Sequence, residues 1–154
     1  MIETPELVTL DTGPIAIIHV TVARDAIQSV MGPGIAELHA VVAAQGIAST
    51  GPWFTHHLRM APDVFDFEIG VPVAAPVVPA GRVLPGVRPA ARVARTTYRG
   101  GYEGLGAAWG AFERWLSEEG HVPDEDLWEV YLVGPESGPD PAGWCTQLNR
   151  PVRG

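Results

Sequence analysis

The sequence predicts an α+β fold in which one strand–helix–strand–strand unit is laid down twice. Three observations predict it. A constant offset of 74 residues carries Leu10 to Leu84, Ile35 to Trp109, Leu38 to Phe112, Val41 to Trp115, Val42 to Leu116, Gly46 to Gly120, Phe54 to Trp128 and Leu58 to Leu132, apolar onto apolar and glycine onto glycine. Each copy holds one stretch of helical spacing among stretches with strand alternation. Five of the fifteen prolines fall within residues 72–90, together with Gly81 and Gly86, which marks a connector between copies. A fixed period of this length is the mark of duplicated units that bury faces against each other. Their seam would lie on a pseudo-two-fold axis, a place where pockets form. The 154 residues suit one domain over 1–154, with repeat one over about 1–75, the connector over about 76–90 and repeat two over about 82–154.

In chain order, Ile15 to Val22 is rich in β-branched residues and follows Gly13-Pro14, a strand entered from a turn. Pro33 suits the first position of a helix, Ile35, Leu38, Val41 and Val42 keep helical spacing, and Gly46 stops it. Gly51-Pro52 opens a strand over Trp53 to Arg59. After a turn at Pro62-Asp63, Phe65-Asp66-Phe67-Glu68-Ile69 alternates apolar with acidic, the period of a half-buried strand. A short strand falls near Val83-Leu84. The second copy keeps the order, with a strand over Arg92 to Tyr98, a stripe of Leu105, Trp109, Phe112 and Leu116 ended by Gly120, and a strand over Leu127 to Val133. The last strand runs near Thr146 to Val152. Glu68 now corresponds to Gln147 at an offset of 79, the added residues lying in a hairpin from Gly134 to Gly143. One helix covers one face of a sheet, so each copy leaves a face uncovered. Two such faces, edge to edge or leaning together, would line a central groove.

The formal charge of −8 argues against nucleic-acid binding, which needs clustered basic residues. All ten basic residues are Arg, which excludes Schiff-base chemistry on a lysine. An acidic chain favours a neutral or cationic small molecule over a phosphate ester. Cys145 is alone, so neither an internal disulfide nor a thiolate-rich metal cluster forms, and a reduced setting follows. Acids occupy the N-terminus where a signal peptide has bases, and the apolar run Val71 to Ala80 is broken by Pro72, Pro76 and Pro79. The expectation is a soluble cytoplasmic protein without membrane contact.

Strand alternation groups Trp128, Val130 and Leu132 as an apolar set expected under the helix, leaving Glu129 and Tyr131 on the opposite face. The matching positions in copy one are Thr55 and His57, with Phe54 and Leu58 toward the helix. Glu129 then faces either the groove or open solvent. In a groove its desolvation needs a partner, which a cationic ligand on aromatic rings would supply. Asp66 and Glu68 lie opposite Phe65, Phe67 and Ile69; a hydrogen-bonded structural role suits Asp66, and Glu68 is left open. His56 and His57 point to opposite faces and cannot chelate one ion, so no metal or cofactor is expected. The turn Tyr98-Arg99-Gly100-Gly101-Tyr102 either offers backbone N–H groups to an anion or uses its glycines to turn. Trp109, Trp115 and Trp128 read as core. Trp53 and Trp144 sit at strand starts, at a groove mouth or the core edge. No Ser-His-Asp order, phosphate-loop pattern or metal-ligand cluster is present in the sequence.

These residues resemble the GyrI-like small-molecule-binding domain, also found as the effector-binding domain of multidrug-responsive transcription activators of the AraC and MerR types. The resemblance covers nearly the whole chain. It rests on Phe65-Asp66-Phe67-Glu68-Ile69-Gly70-Val71-Pro72-Val73, on Tyr98-Arg99-Gly100-Gly101-Tyr102-Glu103-Gly104-Leu105, and on Trp128-Glu129-Val130-Tyr131-Leu132 followed by Pro135 and Trp144. It implies two βαββ, SH2-like repeats around a groove that binds lipophilic, often cationic compounds. It also implies that an acid at the position of Glu129 answers the ligand's charge among aromatics. Family members are linked to DNA gyrase inhibition, and one branch hydrolyses cyclopropane-containing alkylating toxins. This chain departs from the pattern at His57, where many relatives carry Tyr, and at Gln147, where an acid is frequent. A groove histidine would make binding pH-sensitive. No helix-turn-helix flanks the domain in this sequence, which argues against direct transcription activation.

The resulting expectation is a stand-alone binding protein for lipophilic cations, acting in multidrug recognition or sequestration. Glu129 is the counter-charge, Tyr131 a stacking and hydrogen-bonding wall, and His57, Trp53, Tyr98, Thr55 and Glu68 further lining. The alternatives are a hydrolase in which Glu129 activates water and Tyr131 assists the leaving fragment, and a protein that contacts DNA gyrase or a separate regulator.

Overall fold

The computed structural model describes residues 2–23, 26–60, 64–134 and 138–153. In chain order the described elements are β1 (Glu6–Leu10), β2 (Gly13–Ala23), α1 (Ile27–Ala44), β3 (Phe54–Met60), β4 (Val64–Pro72), β5 (Leu84–Arg88), β6 (Ala91–Arg99), α2 (Leu105–Glu118), β7 (Val122–Pro123), β8 (Leu127–Val133) and β9 (Cys145–Arg153). Short 3-10 turns occupy Tyr102–Gly104 and Pro141–Gly143. The expected turn at Pro62-Asp63, and Pro135, lie outside the described residues. The α+β class stands, with antiparallel sheets and one long helix in each of two compact units: Asp11–Ala90, and the remainder of the chain. No helix among the described residues is long and apolar enough to cross a membrane.

The Asp11–Ala90 unit has the strand order β3-β4-β2-β5. Alternation puts Ala16, Ile18 and Val20 of β2 beside Val71, Ile69 and Phe67 of β4 on one face, and α1 lays Leu38 and Val42 over them. The helix approaches closely enough that a Cβ on Gly34 would sit 2.6 Å from Ile69 Cδ1. The sequence places Pro33 at the start of this helix, whereas α1 begins at Ile27 and carries Pro33 inside it. An internal proline removes one backbone hydrogen bond and crowds the preceding turn. Burial of Leu38 and Val42 carries the helix through, and Gly32, just before the proline, removes one Cβ from the crowded turn.

The proline-rich segment is part of this core rather than a loose link, because Val73, Val77 and Val83 are buried in it. Two straps hold it to α1. Gln45 donates to the Val78 carbonyl (2.7 Å) and accepts from its N–H (2.8 Å), while Arg82 pairs with Glu37 (2.8 Å). Hydrogen bonding to Arg82 holds the Glu37 carboxyl below its ordinary value. That contribution is present above the unfolded carboxyl range and is lost as pH falls through the depressed folded value.

In the second unit the order is β1-β6-β9-β8, with β7 also on β9. Leu7, Ala94, Tyr98 and Leu148 face Ala108, Phe112 and Leu116 of α2. The sequence assigns residues 1–10 to repeat one, but β1 pairs with β6, and β5 pairs with β2. Neither two-residue link, Asp11-Thr12 or Pro89-Ala90, carries the glycine or asparagine that a tight hairpin favours, so the chain does not fold straight back at either place. Both helices stop as the sequence predicts. Gly46 (φ 67°) and Gly120 (φ 76°) adopt the left-handed conformation. Ile47 N–H then reaches Val42 O (3.2 Å) and His121 N–H reaches Leu116 O (2.9 Å), closing the last turn in each case.

Phe112, on the sheet-facing side of α2, is fully buried, whereas Leu132 is 40% exposed. Phe112→Ala is expected to cost about 3–5 kcal/mol in urea unfolding and Leu132→Ala less than about 1 kcal/mol. Equal losses would place the helix on the wrong face of this sheet.

Candidate functional site

β8 turns Leu127, Glu129 and Tyr131 to a buried face and leaves Trp128 and Val130 half-buried and Leu132 exposed. Register identifies the buried face. Glu129 lies opposite Leu148, and Tyr131 opposite Thr146. Across β9, Leu148 meets Thr96 and Thr146 meets Tyr98. Leu148 and Tyr98 belong to the core under α2, so Glu129 and Tyr131 point toward the helix. This corrects the assignment of Trp128, Val130 and Leu132 to the helix side. The apolar trio fills the far face, beside a polar row in which Arg95 donates to Asn149 (2.7 Å) and Asn149 to Gln147 (3.2 Å).

The helix supplies what a buried acid needs. Trp109, one turn before Phe112, donates its indole N–H to Glu129 Oε2 at 2.7 Å, and the Tyr131 hydroxyl donates to Oε1 at 2.6 Å. Glu129 is only 9% exposed. Both donors are neutral, and among the described residues no basic side chain pairs with it. A carboxylate held by hydrogen bonds without a counter-ion remains an attractive point for a cation. Both donors are aromatic, and further rings pack onto Tyr131. Tyr102 stands edge-on to Tyr131 (centroids 6.0 Å apart) and tilts against Trp144 (5.1 Å), whose indole N–H donates to Gly138 O (3.0 Å). Tyr102 and Trp144 are half-buried. The arrangement can take a greasy positive group against ring faces with the carboxylate as its counter-charge.

Of the sequence-predicted residues, Glu129 and Tyr131 are thus joined directly. Tyr98 is buried in the same unit, on the same sheet face, with its hydroxyl donating to Gly101 O (2.7 Å). The Tyr98–Tyr102 turn does not present an open anion site, because the Glu103 carboxylate lies against Gly101 where a Cβ would meet it. Thr55, His57, Trp53 and Glu68 belong to the Asp11–Ala90 unit. Thr55 and His57 share a hydrogen bond (3.3 Å), and His57 stacks on Phe67 (5.2 Å). They face α1, not the side away from it, because they lie opposite Ile69 and Phe67. Trp53 is half-buried against the same core. Glu68 points to the other face of the sheet, where it pairs with His56 (3.1 Å), next to Asp66, which pairs with His19 (2.5 Å) and Thr21 (3.2 Å). Asp66 therefore has the structural partners expected of it.

Sequence reasoning missed Trp109 and Tyr102 as site residues. Trp109 keeps the spacing of the apolar stripe and reads as core; the signal was its N–H, which needs an acceptor once buried. Tyr102 was absorbed into the glycine turn.

The model of the GyrI-like small molecule binding domain matches residues 3–147. No curated protein matches. Among solved structures, the C-terminal domain of EcmrR is similar over 97% of both chains, with a TM-score of 0.86 and 20% identity. This chain spans 57% of EcmrR as seen in its complex with DNA. A hydrolase from Listeria innocua (TM-score 0.69, 12% identity) is covered over 91% of its length by 97% of this chain. SAV2435 bound to tetraphenylphosphonium (TM-score 0.67, 13% identity) is covered over 95% by 99% of this chain. At these identities the likeness is one of fold.

Trp109→Phe keeps most of the ring but strands Glu129 Oε2, whereas among the described residues no hydrogen bond holds the Trp115 indole, which tilts against His121. Urea unfolding is expected to show Trp109→Phe costing about 1–3 kcal/mol more than Trp115→Phe. Indistinguishable losses would mean that the indole N–H does not support the acid.

Proposed function

The chain belongs to the GyrI-like small-molecule-binding domain family, and from that premise we propose that it binds lipophilic cations, with Glu129 as their counter-charge. The observation that carries this reading is the pair of neutral donors on a buried acid that lacks a basic partner among the described residues. Trp109 and Tyr131 fix the carboxylate without cancelling its charge, and Tyr131, Tyr102 and Trp144 offer ring surface to apolar substituents. The net charge of −8 favours approach of a cation. A relative in fold has been seen with a lipophilic phosphonium ion. We read the two units as copies of one βαββ, SH2-like repeat, on the common order of their elements and the matching glycine caps. The role this suits is recognition or sequestration of drug-like or toxic cations in the cytoplasm.

The same pair would serve a hydrolase of cyclopropane-bearing alkylators, with Glu129 activating water and Tyr131 assisting the leaving group. Both oxygens of Glu129 already accept side-chain hydrogen bonds, which suits a fixed counter-charge better than a base that must collect a proton. Ring-opened product above background, read by mass spectrometry, would move the assignment to the enzyme.

Glu129→Gln retains the geometry, since the amide oxygen still accepts from Trp109 and the Tyr131 hydroxyl can turn to accept from the amide nitrogen. Calorimetric titration is expected to show tetraphenylphosphonium weakened by about 1–3 kcal/mol and the neutral triphenylphosphine oxide by less than about 0.5 kcal/mol. Equal losses for the two compounds would remove the counter-charge role.

A further inference from the structure

Thr146 is fully buried, and among the described residues nothing hydrogen-bonds its hydroxyl. A buried hydroxyl without a partner is destabilising, and valine would fill the same space without that cost. β9 sets Thr146 between Tyr98 of β6 and Tyr131 of β8, its cross-strand partners on either side. All three side chains share the sheet face that carries Glu129. Neither tyrosine proton goes to Thr146, because Tyr98 donates to Gly101 O (2.7 Å) and Tyr131 to Glu129 (2.6 Å). Trp144, two residues earlier in the chain, and Tyr102 bring the aromatic surround to the same place. Glu129 lies opposite Leu148, so Thr146 is its diagonal neighbour, a spacing of about 7–8 Å in an antiparallel pair.

We propose that Thr146 is a specificity-determining residue of this site, selecting lipophilic cations that carry a neutral hydroxyl or similar polar atom one aryl ring away from the charge. The inference rests on the counter-charge reading of Glu129. A threonine hydroxyl both donates and accepts, so it can complete a hydrogen bond with such an atom in either sense. The nearby carboxylate disfavours an anionic oxygen at that position, so the ligand's polar atom is neutral. A purely apolar cation answers Glu129 and leaves the Thr146 hydroxyl unmatched; the hydroxylated one answers both.

The test compares tetraphenylphosphonium with (4-hydroxyphenyl)triphenylphosphonium, which share a charge and differ by one hydroxyl. By calorimetry the wild type is expected to prefer the hydroxylated ion about five- to tenfold, the effect of one net hydrogen bond. Thr146→Val is expected to abolish the preference while holding tetraphenylphosphonium affinity within about twofold, and Thr146→Ser to retain the preference. The ratio within each variant cancels any general loss of folding, which a merely structural role would produce. A preference that persists in Thr146→Val, or that is missing in the wild type, overturns the role of Thr146 and leaves that of Glu129 standing. Failure of the wild type to bind either cation overturns both.

Discussion

A carboxylate taken out of water must be held by something, and the way Glu129 is held organises the unit around it. One donor, Tyr131, comes from its own strand; the other, Trp109, comes from α2. The helix therefore has to sit at one register on the sheet. The same stripe that carries Trp109 continues through Phe112 and Leu116 into the core, and Gly120 ends it where the following chain can turn toward β7. Apolar packing supplies most of the stability of such a helix. The hydrogen bond to Glu129 supplies its placement.

The matching positions in the other unit make the contrast plain. An offset of 74 residues relates Glu129 to Thr55 and Tyr131 to His57. Thr55 and His57 are also buried, also face their helix and also bond to each other, at 3.3 Å. There the pair carries no carboxylate, and His57 is stacked on Phe67 instead. Two strands of like pattern thus hold a polar pair in a like place, and one of them concentrates negative charge among aromatic rings. The carboxylate is what the pair at Glu129 and Tyr131 has and the pair at Thr55 and His57 lacks.

Much of this was visible in the residues. Apolar spacing and glycines that take positive φ mark the helices, and the sequence places β8 over its observed span, Leu127–Val133. The family is recognisable from three short stretches; alternation puts Glu129 and Tyr131 on one face, and the resemblance gives Glu129 its expected role. What alternation cannot say is which of its two sets faces the helix. Trp128, Val130 and Leu132 looked like the core set because they are apolar, yet the helix face is where Glu129, Thr96 and Thr146 are buried with Leu148. Polar groups are tolerable there because an indole N–H and a phenol hydroxyl meet the acid; the phenol comes from the same strand, but the indole lies 20 positions away and only the packing of α2 on the sheet brings it in. β1 was missed because five residues with little alternation carry a weak signal, and its pairing with β6 spans most of the chain.

The most direct test of the account is a crystal structure of the protein with tetraphenylphosphonium. The account predicts the phosphonium centre beside Glu129, with the carboxylate still held by Trp109 and Tyr131 and phenyl groups against Tyr131, Tyr102 or Trp144. A cation bound away from Glu129, or a Glu129 side chain turned out to solvent in the complex, would contradict it.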